Sequence, residues 1–106
     1  MATIEDFRNL GLKIAQVTAA EPVAGTDKLL KLTLDLGSET RVTVAGIGNV
    51  YKPEQLVGKQ LIVVTNLQPA LIRGVLSQGM ILAVSAGNDV VLLAPERPVP
   101  PGSAVL

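Results

Sequence analysis

The chain has 106 residues, 48% of them hydrophobic, which suits one domain with a core of its own. It contains no Cys and no His, so disulfides and thiolate chemistry are excluded, and the commonest general base and metal ligand are missing. Nine Lys and Arg balance nine Asp and Glu, and a chain without a basic excess is a poor candidate for strong, non-specific phosphate binding.

Met1 to Asn9 are polar and acidic and lack the cationic start and apolar stretch of a signal peptide. No apolar run approaches the ~20 residues of a membrane span. A cytoplasmic chain with no membrane partner is expected. Leu10, Leu12 and Ile14 share one parity while Val17 and Ala19 take the other, which predicts a strand with a β-bulge near Ala15–Gln16. Leu30, Leu32, Leu34 and Leu36 alternate with Lys31, Thr33 and Asp35, the period of a half-buried strand despite leucine's helical leaning. Gly37–Ser38 turns the chain, and Arg41 to Ile47 returns as the second arm of a hairpin, with Val42 and Val44 inward.

Lys52 to Val57 reads as a short helix with Pro53 in its first turn and Gly58 at its end. Leu61–Thr65 and Met80–Val84 are continuously apolar and predict two central strands. Gly87–Asn88–Asp89 predicts a turn before Val90–Leu93. The tail from Pro95 to Leu106 holds four prolines, cannot pair as a central strand, and is expected on the surface or against a partner. Five or six short strands with one short helix between the third and fourth match an all-β OB-fold. The expected architecture is a five-stranded Greek-key barrel over about residues 10–94, with extra N- and C-terminal segments, in a single domain spanning 1–106.

Between the apolar runs lie Asn66, Gln68, Arg73, Ser77 and Gln78, punctuated by Pro69, Gly74 and Gly79. A loop with one cation, several amides and a hydroxyl between buried strands is where a small β-protein places a binding surface. Arg73 suits a phosphate or base contact, or else a loop-stabilising bond to backbone carbonyls. Ser77 and Gln78 suit phosphate or 2′-hydroxyl groups, or else a polar turn. Met80 suits a base surface or core filling, and Asn66 a loop-shaping role. Lys28, Lys31, Arg41 and Thr43 would extend the face of the second and third strands, on which OB-folds bind, or else be ordinary solvated side chains.

The only aromatic residues are Phe7, a core or interface plug, and Tyr51, placed at a loop rim. Stacked single strands are therefore a poor ligand, and folded RNA read by shape and backbone fits better. The carboxylates are scattered, and Ala45-Gly46-Ile47-Gly48 lacks the spacing of a phosphate loop. No catalytic residue, cofactor or metal is expected. Residues 27 to 80 carry six cations against four acids, which leaves room for a small local patch.

Asp27-Lys28-Leu29-Leu30-Lys31-Leu32, Asp35-Leu36-Gly37, Ala45-Gly46-Ile47, Tyr51-Lys52-Pro53-Glu54-Gln55-Leu56-Val57-Gly58-Lys59 and the segment 66–83 occur in that order. Over roughly residues 6–105 the chain resembles the tRNA-binding domains at the C-terminus of many methionyl-tRNA synthetases. These occur also as free-standing dimeric tRNA-binding proteins and in the endothelial monocyte-activating cytokine. That family's loop reads approximately Asn-Leu-Lys-Pro-x-Lys-x-Arg-Gly-x-x-Ser-x-Gly-Met. Asn66, Pro69, Arg73, Gly74, Ser77, Gly79 and Met80 match it, whereas Gln68 and Leu71 stand where lysines are usual. Gly11 replaces a usual Asp, Gln16 a usual Lys, and Val23-Ala24 a frequent His-Pro.

The resemblance implies an OB-fold that binds the outer shape of tRNA through Lys28, Lys31, Arg41, Asn66, Arg73, Ser77, Gln78 and Met80. It would tether tRNA to a methionyl-tRNA synthetase catalytic chain, without chemistry of its own. It also implies a homodimer, its interface drawn from Phe7, Leu10, Leu12, Val99, Val105 and Leu106. The alternatives are a chaperone-like or assembly homodimer of the same fold with weak or no RNA binding, and a stand-alone barrel with no ligand.

Overall fold

The computed structural model describes residues 1–106, beginning with a helix that the polar N-terminus concealed. Thr3 caps α1 (Ile4–Asn9): its hydroxyl accepts from the Asp6 N–H at 3.1 Å, and the Asp6 carboxylate accepts from the Thr3 N–H at 2.9 Å. This reciprocal box satisfies two backbone donors that an isolated helix start leaves open. Glu5 and Asp6 also complement the positive end of the helix.

β1 (Leu12–Pro22) is the spine of the barrel. β2 (Leu30–Asp35) pairs with its second half, and β3 (Thr40–Ala45) returns antiparallel to β2. α2 (Pro53–Leu56) precedes β4 (Gln60–Val64), which pairs with the first half of β1. A short hairpin, β5 (Ala70–Ile72) and β6 (Val75–Ser77), leads to β7 (Met80–Ile81) on the far edge of β4. β8 (Ala83–Ala86) and β9 (Asp89–Leu92) form a last hairpin about Gly87–Asn88. The five-stranded antiparallel sheet has the order β3-β2-β1-β4-β7 and curls into a nearly closed OB-type barrel, with α2 between β3 and β4 as expected.

The alternation read from Leu30 to Leu36 holds: Leu30, Leu32, Leu34 and Leu36 are buried, and Lys31, Thr33 and Asp35 are half-buried on the outer face. With Ala15, Val17, Leu56, Leu61 and Val63 they form the interior. Three local expectations fail. The bulge lies between Val17 and Ala19, not near Ala15–Gln16. Ile14 is buried outside the main cluster, with its backbone paired to the C-terminal tail, and Ala15 lies inside the barrel, so both parities are buried at this point of the strand.

On β3 the inward residues are Thr43 and Ala45, facing Leu32 and Leu30 across β2, while Val42 and Val44 lie half-buried on the outer side. Small side chains opposite leucines fit a narrow barrel interior. Met80–Val84 is not a central strand. Its first two residues form the sheet edge, and Ala83–Ala86 is exposed throughout.

The tail completes the edge of β1 that β2 does not reach. Gly102 N donates to Ile14 O at 2.7 Å, Ile14 N to Ser103 O at 2.9 Å and Val105 N to Leu12 O at 3.0 Å. Gly102 has φ +90°, and a Cβ there would collide with the Leu36 carbonyl, so the tail lies flat only with glycine. Upstream, the Gln60 side chain imitates a ladder partner. Its Nε2 donates to Val99 O at 2.6 Å and its Oε1 accepts from Val99 N at 3.0 Å.

Candidate functional site

The segment expected to be a loop contains a two-residue hairpin. Ile72 pairs with Val75, so Arg73 and Gly74 are the whole turn. Both have positive φ, +50° and +82°, as a type I′ turn requires. Arg73 is the only non-glycine residue of the chain with positive φ. A residue held there costs about 1 kcal/mol, which the flanking ladder must offset. The turn places the side chain at the tip, exposed to solvent.

From the tip the guanidinium reaches the β1–β2 loop, where Nη1 lies 4.0 Å from the position a Cβ would take on Gly25. The same loop carries Lys28. Its backbone carbonyl accepts from Gly48 N at 2.7 Å, and its side chain crosses Gly46. The ion pairs of the chain are Lys31–Glu21 and Arg41–Glu39, so Arg73 and Lys28 are free of acidic partners. The hairpin tip, the β1–β2 loop and the Gly46–Gly48 turn thus form one rim of the barrel, with two unpaired cations and the carboxylate of Asp27 on it.

The other expected contact residues are placed differently. Lys31 lies on the outer face, with Nζ 3.6 Å from the Glu21 carboxylate, so its charge is locally compensated. Arg41 does not extend that face. Its Nη1 donates to Thr65 O at 2.6 Å and its Nε binds Glu39, which ties the start of β3 to the end of β4. Thr43 is 1% exposed and its hydroxyl has no partner.

Ser77 is buried, and its hydroxyl accepts from Val44 N at 2.9 Å. Gln78 N donates to Val42 O at 2.8 Å, and its side-chain oxygen accepts from Val42 N at 3.4 Å. These two residues seal the seam where β3 has no neighbouring strand; the Ser77 hydroxyl and the Gln78 amide oxygen are engaged there, and Gln78 keeps only its Nε2 donors for solvent or a ligand. Asn66 holds α1: its Nδ2 donates to Asn9 O and its backbone N to Leu10 O, the loop-shaping role. Met80 is 51% exposed at the sheet edge rather than filling the core.

Tyr51 is not at a free rim. Its hydroxyl accepts from Leu92 N at 3.1 Å, its ring packs on the core, and Lys59 Nζ stands 6.0 Å from the ring centre. The sequence reading missed that Leu71 and Leu76 form an exposed apolar pair across the β5–β6 hairpin. Their signal is the alternation on either side of Arg73–Gly74, which the absence of an Asn-Gly turn hides.

Of the expected interface residues, Phe7, Val105 and Leu106 come together with Ile4 and Arg8 around a small apolar hollow. Leu12 joins them through the Val105–Leu12 backbone bond. Leu10 is exposed at the end of α1, and Val99 stands apart beside Gln60. No group of three or more carboxylates gathers in the fold, and no helix is long and apolar enough to cross a membrane.

Residues 12–104 match the model of a putative tRNA binding domain. The methionine–tRNA ligase of Methanoculleus marisnigri is 51% identical over 105 residues, covering 99% of this chain and 16% of that protein. The chain spans about 16% of the length of the curated relatives it matches. The crystal structure of a MetRS related protein from Pyrococcus horikoshii superposes with a TM-score of 0.93 at 36% identity, covering 100% of this chain and 98% of that one. That of the chaperone CsaA from Bacillus anthracis superposes with a TM-score of 0.90 at 35% identity, covering 100% and 99%.

Proposed function

The chain belongs to the putative tRNA-binding domain family, and from that premise we propose that it is a non-catalytic module that binds tRNA by its folded shape and tethers it to an aminoacyl-tRNA synthetase, methionyl-tRNA synthetase above all. The observation that carries this reading is Arg73: exposed, free of acids, and held at a hairpin tip in a backbone conformation that a non-glycine residue adopts only at a cost. Guanidinium in that position meets a phosphate or a base edge equally well. Lys28, on the facing loop, is the second cation of the rim.

Two free cations give modest affinity, and modest affinity suits tethering. A weak second contact raises the local concentration of tRNA at a catalytic partner without trapping the product. A second copy of the chain is part of the same proposal. The hollow of Phe7, Val105 and Leu106 would be covered in a homodimer, which would present two rims to one RNA.

Titration with tRNA across a salt series, beside an Arg73→Ala variant, tests the reading. Binding that weakens with salt and falls in the variant supports it; binding that ignores salt, or none below millimolar concentration, defeats it. The competing reading is a chaperone-like homodimer that holds a protein client. It draws support from the zero net charge and from the full-length match to a protein called a chaperone. Gentle lysis and recovery of the chain separate the two, since either tRNA or a client protein co-purifies.

A further inference from the structure

The hairpin that carries Arg73 is apolar on its outward side. β5 and β6 pair Ile72 with Val75, Leu71 with Leu76 and Ala70 with Ser77. Ser77 is buried and Ile72 and Val75 are half-buried, so their row faces the barrel. The alternate row, Leu71 and Leu76, faces water at 73% and 51% exposure. A solvated row on an antiparallel pair ordinarily takes polar residues. No acidic residue occurs between Glu54 and Asp89. The turn fixes the free guanidinium of Arg73 two residues beyond Leu71.

We infer that Leu71 and Leu76 form a platform for an exposed base face of the bound RNA, with Arg73 on the adjoining phosphate. The inference rests on the RNA-binding reading and names what would give it selectivity. A nucleotide joins a flat apolar face to an anion within one residue, and the hairpin carries the complement of both, Leu71 and Leu76 beside the turn residue Arg73. A continuous duplex hides its base faces, whereas folded RNA with an unstacked or terminal base presents one.

Leucine is among the side chains that proteins set against opened base steps. A protein surface is the competing occupant; the unpaired cation and the absence of an acid on the hairpin itself favour a polyanion. An apolar contact releases no counterions, so it distinguishes RNA shapes without adding to the salt dependence.

The test is titration of the 106-residue chain and its Leu71→Ser, Leu76→Ser and Leu71→Lys variants with unfractionated tRNA and with a blunt RNA duplex, at several salt concentrations. Each serine variant is expected to weaken tRNA binding about tenfold. The slope of affinity against salt and the binding of duplex should both stay unchanged. Leu71→Lys should steepen the slope by about 0.7–0.9 and reduce the preference for tRNA over duplex.

Salt-dependent tRNA binding by the parent chain, with unchanged affinity in both serine variants, would overturn the platform and leave the RNA reading standing. A parent chain that binds neither RNA overturns both. A change in the sedimentation of the free chain in either serine variant would assign the leucines to a contact between protein copies, and would also overturn the platform.

Discussion

Replacing Arg73 by Asn should move stability and binding in opposite directions. Arg73 holds φ +50° at the first central position of a type I′ turn, where a non-glycine residue costs about 1 kcal/mol and Asn is favoured. Asn retains a side chain, so it adds less freedom to the unfolded chain than Gly would. Recovering about half of the strain stabilises the fold by about 0.5 kcal/mol, or roughly 2–4 °C in melting temperature at this chain length. The same change removes one of the two unpaired cations of the rim.

Loss of one charge-assisted contact weakens tRNA binding on the order of tenfold, and loss of one neutralised phosphate flattens the slope of log affinity against log salt by about 0.7–0.9. Thermal melts and a salt-series titration on the same preparations read both effects, with Arg73→Lys as the variant that keeps the charge. A lower melting temperature in Arg73→Asn would mean that the guanidinium supports the fold. An unchanged salt slope would mean that it meets no phosphate.

Thr43→Val removes a hydroxyl that is buried without a partner, and should raise the unfolding free energy by about 1 kcal/mol in denaturant titrations; a destabilised variant would refute that account. Ser77→Ala leaves the Val44 N–H at the barrel seam without its acceptor, at a cost of about 1–2 kcal/mol. The affinity of the folded protein for tRNA should be unchanged, and a selective loss of affinity would instead put the hydroxyl on the ligand. Phe7→Ser should lower the average mass measured by light scattering at high concentration, since Phe7 lines the hollow assigned to the dimer. An assembly that survives Phe7→Ser and Val105→Ser together would exclude that hollow as the interface.

The barrel was legible wherever one covering determines burial. From Leu30 to Leu36 one face meets the interior and the other meets water, so period two reads directly. It failed where the covering changes along the strand. Ile14 pairs through its backbone with a tail that arrives from Gly102–Val105, more than eighty residues later, and local spacing carries no trace of that. On β3 the valines drew the inward assignment by hydrophobicity, yet the register with β2 sets Thr43 opposite Leu32 and Ala45 opposite Leu30 on the inner face.

The segment 66–83 stands out by its polar groups and glycines, but composition does not reveal which of those groups face the chain itself. Ser77 and Gln78 have the chemistry of RNA contacts and the positions of barrel closures. Arg73 differs in one legible respect: Gly74 follows it, and the pair forms a turn that aims outward.

The division of labour within that segment also bears on why a chain of zero net charge would suit tRNA. Asn66, Ser77 and Gln78 hold α1 and the barrel seam, and Arg41 ties β3 to β4. The groups that the rim and its hairpin leave for a ligand are two free cations and an apolar pair. Two neutralised phosphates set a salt slope of about −1.4 to −1.8, far short of what a tight nucleic-acid binder shows. For a tether this is sufficient. A contact with a dissociation constant of about 100 μM, facing an effective concentration of about 1 mM, raises occupancy about tenfold and still lets go quickly. A rim with eight or ten free cations would hold every RNA in the cell and release none of them promptly. On the proposed reading, weak charge with a shaped apolar contact would favour folded RNA over duplex while keeping turnover, and the neutral composition would then be a condition of tethering rather than an obstacle to it.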